Sequence, residues 1–187
     1  MPWFMIDIEA DGPIPGDYSM IELGAVLIDP EGKLDVTFHG KLRPISDKYM
    51  NEALNVTLTS RADTFGYDHP KHVMEKFFDW IVENSKGRRA RFISDNNGFD
   101  WMFVCWYFWH FLEKNPFGHS SSNLGSLYKG MVGTMFENFK HLRITPHTHN
   151  PVEDAKGNAE ALLYMIKGDG FEIRFEILRE EEHLEIG

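Results

Sequence analysis

The sequence predicts an α/β domain in which helices flank a mixed β-sheet. Three observations predict it. Two apolar runs near the N-terminus, Ile21–Ile28 and Leu34–Leu42, are joined by a turn at Pro30 and Gly32, which makes them antiparallel neighbours. Further along, stretches of helical periodicity alternate with a short β-rich run, the pattern of strands joined by crossovers. The chain of 187 residues is 42% hydrophobic, with 15 Phe, 5 Trp and 6 Tyr, enough apolar material to close one core.

The elements follow in order. Trp3 to Ile8 is a buried strand interrupted by Asp7. Asp11 to Ser19 holds two Gly and two Pro and is a loop. The strands Ile21–Ile28 and Leu34–Leu42 come next, and then Arg43 to His69, whose weak pattern allows one short helix. After Pro70, the spacing of Val73, Phe77, Phe78, Ile81 and Val82 predicts a helix that Lys86-Gly87 closes. Ala90 to Ser94 is a short strand. Trp101 to Leu112, apolar nearly all round, is a buried helix starting near Gly98 and too short to cross a bilayer. Leu124, Leu127, Tyr128 and Met131 mark another helix, and Ala155 to Ile166 the last. In the tail, Ile173, Phe175 and Ile177 alternate as in a strand before Glu180-Glu181-Glu182. The expected organisation is one domain over 1–187, with a core at 3–166 and an extension at 167–187.

Composition removes several classes. The core-forming content excludes a wholly disordered chain, and no heptad or Gly-X-Y period marks a fibrous one. One cysteine can form neither an internal disulfide nor a Cys-rich zinc centre. The start, MPWFMIDIEADG, lacks the basic head and apolar run of a signal peptide, and no apolar stretch reaches about 18 residues, so a cytoplasmic location is expected. The net charge of −10 argues against a phosphate-binding surface on average. Carboxylates that hold divalent cations count towards that total and change sign in effect once loaded.

Three clusters carry chemistry. Asp7 and Glu9 lie two apart on a strand, so both side chains leave one face. Two carboxylates share a buried face only at a cost from repulsion and desolvation, which a cation between them removes. Hard oxygen ligands suit magnesium or manganese. A solvent-facing strand end is the plainer alternative. Second, Asn96-Asn97-Gly98-Phe99-Asp100 follows a strand directly. Asp100 is either an N-terminal helix group or a ligand at the strand-to-helix junction where α/β sheets collect them. Third, His149-Asn150-Pro151-Val152-Glu153-Asp154-Ala155 opens the last helix, with His149 and Asp154 spaced to face one cavity.

Taken in order, these motifs resemble those of the DEDDh 3′–5′ exonucleases, the group that includes ribonuclease T, oligoribonuclease and bacterial polymerase proofreading subunits. Asp7-Ile8-Glu9-Ala10-Asp11-Gly12, continued by Met20 to Val26, is similar to the first exonuclease motif. Asn96 to Asp100 is similar to the second and His149 to Ala155 to the third. The resemblance spans about residues 3–166. It implies a ribonuclease H-like fold, two Mg²⁺ or Mn²⁺ ions held by Asp7, Glu9, Asp100 and Asp154, and His149 as general base on the attacking water. Two cations about 3.5–4 Å apart would stabilise attacking and leaving oxygens alike. It further implies that Glu9 holds the terminal 3′-hydroxyl, that single-stranded nucleic-acid 3′ ends are the partner, that nucleoside 5′-monophosphates are the product, and that the protein is a homodimer. A non-catalytic nucleic-acid-binding or scaffolding module on the same fold is the alternative, and a metal-dependent phosphatase another.

Other features stay two-sided. Asp95 stands where family members often have His, and reads as a helix cap rather than an outer carboxylate. His147 and His149 form a His-x-His pair, but with no Cys or third His at suitable spacing, zinc is the lesser reading. Lys86, Arg88, Arg89 and Arg91 are equally a phosphate footprint and a charged turn. Tyr18, Phe65 and Tyr67 are loop aromatics that could stack on bases or cover the core. The aromatic helix buries more than one face can hold, which favours a partner subunit over a covering segment from Arg43–His69.

Overall fold

The structure, a computed structural model, describes residues 1–29 and 31–167. The first strand, β1 (Trp3–Ala10), runs antiparallel to β2 (Met20–Ile28), which pairs antiparallel with β3 (Thr37–Lys41). On its other side β1 pairs in parallel with β4 (Arg91–Ser94), and β4 with β5 (Ser121–Asn123). The sheet order is β3-β2-β1-β4-β5, so the mixed sheet expected from the sequence is present.

The helices are α1 (Asn51–Val56), α2 (Arg61–Thr64), α3 (Pro70–Ser85), α4 (Asn97–Leu112), α5 (Leu124–Val132) and α6 (Pro151–Lys167), with a 3₁₀ turn at Lys140–Leu142. The period of two along β1 divides them into layers. Phe4, Ile6, Ile8 and Ala10 join Val73, Phe77, Phe103 and Phe108 of α3 and α4 in one core. Met5 joins Ala155, Ala159 and Leu162 of α6 in the other. Asp7 and Glu9 continue the row of Met5 and therefore lie on the α6 side.

Several expected bounds shift for local reasons. Strand β1 continues past Ile8 to Ala10, where a register shift at Glu9/Ala10 ends it. Strand β3 covers only Thr37–Lys41, although the Leu27 N–H still bonds the Val36 carbonyl. The weak segment 43–69 holds two short helices instead of one. The second, α2, starts at a reciprocal Ser60–Asp63 capping box. Helix α6 begins at Pro151, four residues before the apolar periodicity, because proline suits a first turn. Strand β5 was not expected: Ser121-Ser122-Asn123 has no apolar alternation. The turn residue Pro30 and the alternating tail with Ile173, Phe175 and Ile177 lie outside the described residues.

Helix α4 buries Phe103, Val104, Tyr107 and Phe108, while Trp101, Met102, Cys105, Trp106 and Trp109 line an open hollow on its outer side. No helix among the described residues is long and apolar enough to cross a membrane.

Candidate active site

Strand β1 outruns its parallel neighbour. The β1–β4 pairing ends at Met5 and Ile93, so Asp7 and Glu9 project past the end of β4, where α4 begins. Asp7 stands opposite Gly24 of β2, and Glu9 opposite Glu22. A Cβ at Gly24 would collide with the backbone of Pro151 and Val152. The missing side chain therefore lets the start of α6 settle against the sheet beside Asp7.

Asp100 lies in the first turn of α4 and is buried. Burial raises its carboxyl to about 7, against hydrogen bonds from Ser94 and the Ile8 N–H, with the Asp95 charge raising it further. Its Oδ2 is buried without a hydrogen-bond partner among the described residues. Asp7 is held well above the ordinary carboxylate range by burial first and then by Asp100, Glu9, Asp154 and Asp95. Glu9 is pushed up to about 8 by burial and by Asp154, Glu22 and Asp100. Ligand atoms of Asp7, Glu9 and Asp154 all lie within 4.8 Å of one another. Three of the four acids named from the motifs are thus brought together, and Asp100 lies near enough for its charge to raise Asp7 and Glu9.

Asp154 is held differently. Its Oδ1 accepts from Arg143 Nη2 at 2.9 Å and from the Thr148 N–H at 3.0 Å. Its Oδ2 accepts from the His149 N–H at 2.9 Å and lies 2.9 Å from His147 Nδ1. His149 has a left-handed backbone, φ +58°, and Asn150 Oδ1 accepts from the Val152 and Glu153 N–H groups to start the helix. That turn brings His149 Nδ1 to 3.8 Å from Glu9 Oε1. The segment 144–145 is fastened to α6 by Glu160, which accepts from both backbone N–H groups and the Thr145 hydroxyl.

The sequence did not point to Arg143. Its side chain is 6% exposed and crosses α6 at Gly157, where a Cβ would strike the guanidinium. A glycine inside an otherwise strong helix was the available signal. Nor is Asp95 the cap of α4: Asn96 holds that position without a side-chain bond, and the Asp95 carboxyl, raised by burial, adds to the field on Asp7 and Asp100. The basic cluster is remote. Arg91 pairs with Trp3, at the opposite end of β1 and roughly 20 Å along the strand from Glu9. Among the loop aromatics, Tyr18 lies against Gly12 in the first-motif loop, while Phe65 and Tyr67 lie under Arg61 and Lys41.

The donor set fits divalent cations. It offers hard carboxylate oxygens, three of them on mutually close groups, and one buried oxygen without a hydrogen-bond partner among the described residues. Raised carboxyls mark the repulsion that a cation would relieve.

Comparison with known proteins agrees with this geometry. Residues 4–162 match the family model described as RNase_T, exonuclease. The chain is 33% identical over 166 residues to the Escherichia coli 3′-5′ DNA exonuclease Cap18, covering 83% of this chain and 86% of that protein. Among solved structures it resembles the nuclease domain of 3′hExo, a DEDDh family member bound to rAMP. That match has TM-score 0.66 and 18% identity, over 88% of this chain and 91% of that one. It also resembles E. coli exonuclease I in complex with a dT13 oligonucleotide, with TM-score 0.72 and 13% identity, over 89% of this chain and 41% of that one. The ribonuclease H-like fold expected from the motifs is therefore the fold observed.

Proposed function

The chain belongs to the RNase T exonuclease family, whose members include 3′–5′ exonucleases, and from that membership we propose that it removes nucleoside 5′-monophosphates from the 3′ end of single-stranded DNA with two Mg²⁺ or Mn²⁺ ions. The observation that carries the proposal is the convergence of Asp7, Glu9, Asp100 and Asp154 at the end of β1, with His149 3.8 Å from Glu9. DNA is preferred over RNA because the 33% identical relative is a DNA exonuclease.

Each residue has a part. Asp7, Glu9, Asp100 and Asp154 would hold the cations, which supply positive charge to the scissile phosphate and its leaving oxygen. Asp100 Oδ2, buried and unpartnered, is free to ligate without breaking a bond. His149 takes the proton of the attacking water, the usual work of an imidazole near neutral pH. Its left-handed backbone and the His149 N–H bond to Asp154 fix the ring over Glu9. Glu9 would accept a hydrogen bond from the free 3′-hydroxyl, which makes a terminus the preferred substrate.

The test uses a 5′-labelled single strand, its 3′-phosphorylated form and a circle of the same sequence. Stepwise shortening of the first, strong slowing of the second, no cleavage of the third and loss of all activity in EDTA are expected. Equal cleavage of circle and linear strand, or full activity in EDTA, overturns the proposal.

A further inference from the structure

A second set of ligands overlaps the carboxylate cluster. Ligand atoms of His147, His149 and Asp154 also lie within 4.8 Å of one another, and the two imidazole rings are 4.3 Å apart in a T arrangement. The sequence argued against zinc because no third Cys or His was in place. The structure supplies the third ligand as a carboxylate, five residues beyond His149. Both rings are about half exposed, His147 at 47% and His149 at 41%, so an ion can reach them from solvent.

The geometry points to a zinc-binding site formed by His147, His149 and Asp154 that is exclusive of the magnesium-loaded state and inhibits the nuclease. The donors determine the metal. Imidazole is a poor ligand for magnesium, which prefers oxygen and keeps its waters, whereas two His and a carboxylate form a familiar three-residue zinc set with water in the fourth place. Asp154 is prepared for this role. Arg143 and the Thr148 N–H occupy Oδ1, while Oδ2, which accepts from the His149 N–H at 2.9 Å, has its other lone pair towards His147 Nδ1, also at 2.9 Å. Tetrahedral zinc at about 2.0–2.1 Å from each ligand sets them about 3.3 Å apart, so the His147–Asp154 pair at 2.9 Å opens slightly and the half-exposed His149 ring, within 4.8 Å of both, turns in to complete the set. Zinc binds the neutral imidazole of His147 through Nδ1 in its Nε2–H tautomer, and any proton held between Nδ1 and Asp154 Oδ2 is released to solvent.

The consequence rests on the exonuclease reading above. Zinc there removes both the general base His149 and the ligand Asp154, so one ion disables two parts of the machinery. Because zinc outcompetes magnesium at nitrogen donors, inhibition is expected at zinc concentrations far below those of magnesium.

The experiment titrates Co²⁺, a visible-absorbing stand-in for Zn²⁺, into wild type, His147→Ala and Asp7→Asn. Wild type and Asp7→Asn should show the intense bands of tetrahedral cobalt, bleached by Zn²⁺, and His147→Ala should lose them. In parallel, DNA degradation by wild type and His147→Ala at saturating Mg²⁺ is measured against free Zn²⁺, each scaled to its own zinc-free rate. Sensitivity should fall by at least about 10–100-fold in His147→Ala. Only weak octahedral bands in wild type, bands that survive in His147→Ala, or zinc binding without inhibition would overturn the inference. A protein that shows the bands yet never shortens a 3′ end keeps the zinc site and loses the exonuclease reading instead.

Discussion

Glu9 and Glu22 face each other across the β1–β2 ladder, yet their carboxyls behave in opposite ways. Glu9 is pushed up to about 8, by burial and by its acidic neighbours. Glu22, although its residue is even less exposed, is lowered. Its burial penalty is outweighed by hydrogen bonds and charge from His39 and Lys41, each 3.0 Å away on β3. Asp11, buried nearby in the first-motif loop, also has a cation, Arg61, clasped to it, although burial still holds its carboxyl above the ordinary range. Among the described residues, no Lys or Arg pairs with Asp7, Glu9 or Asp100, whose neighbours are mostly other carboxylates. Burial alone therefore does not identify a functional acid. For Asp7, Glu9 and Asp100 the signal is a surplus of negative charge that a ligand has to bring cations to balance, whereas Asp154 beside them is held in place by Arg143 and His147.

The comparison is broken most directly at Asp7. Asp7→Asn keeps the shape but removes one charge from the unpaired group, so the nuclease rate should fall by about 10³-fold or more. The metal-free variant should melt at or above wild type at pH 8, because it carries less repulsion. A rate within tenfold of wild type, or a variant that fails to fold, would make Asp7 a structural acid like Glu22.

Next in size is the loss of His149. His149→Ala should lower kcat by about 10²–10⁴-fold while Kd for a 3′ end changes little. Single-turnover cleavage at saturating metal across pH 6 to 9 checks this, and an unchanged rate removes His149 from proton transfer.

Much of this site was legible in the sequence, and the unread parts share a cause. Asp7 and Glu9 could be paired because a strand repeats every two residues, and His149 and Asp154 because a loop meets the first turn of a helix. The Arg143 contact could not be read that way. It depends on a non-repetitive loop crossing α6 at Gly157 and on no periodicity. The fold shows the same division. Helices α3 and α6 announce themselves by spacing, whereas α1, α2 and β5 are too short to show a period, α2 resting on its capping box and β5 on its pairing with β4. Leu34 to Val36 looked like strand because apolar composition does not encode where a ladder ends. The counter-charge on Glu22 was hidden as well, since His39 and Lys41 meet it only through the β2–β3 register.

Glu22→Gln sharpens the contrast from the paired side. His39 and Lys41 are both partly exposed and can turn to water, so the expected cost is about 1 kcal/mol. Denaturant unfolding measures it, and the nuclease rate should stay within a few-fold of wild type. A loss of activity comparable to that of Asp7→Asn would place Glu22 with the unpaired acids.

The last contrast lies in the pH dependence of stability without metal. For Glu9 and Asp100 the folded pKa values, about 8 and about 7, lie above the unfolded values of about 4.3 and 3.9. Between those limits the folded protein binds more protons than the unfolded chain, so stability falls as pH rises. The contribution is complete below about pH 4 and is gone once pH passes about 8. Glu22 has the opposite sign: its contribution is present above about pH 4.3 and is lost only on acidification, so it is constant over this window. Metal-free wild type should therefore melt lower at pH 8 than at pH 5.5, by about 2–4 °C for each kcal/mol lost. Glu9→Gln serves as the control: it removes this carboxyl alone and should flatten the slope. Saturating Mg²⁺ should flatten it too, since cations stabilise the charged carboxylates that repulsion disfavours. Equal slopes for wild type and Glu9→Gln would mean that Glu9 is ionised throughout, and that its charge is balanced within the protein as that of Glu22 is.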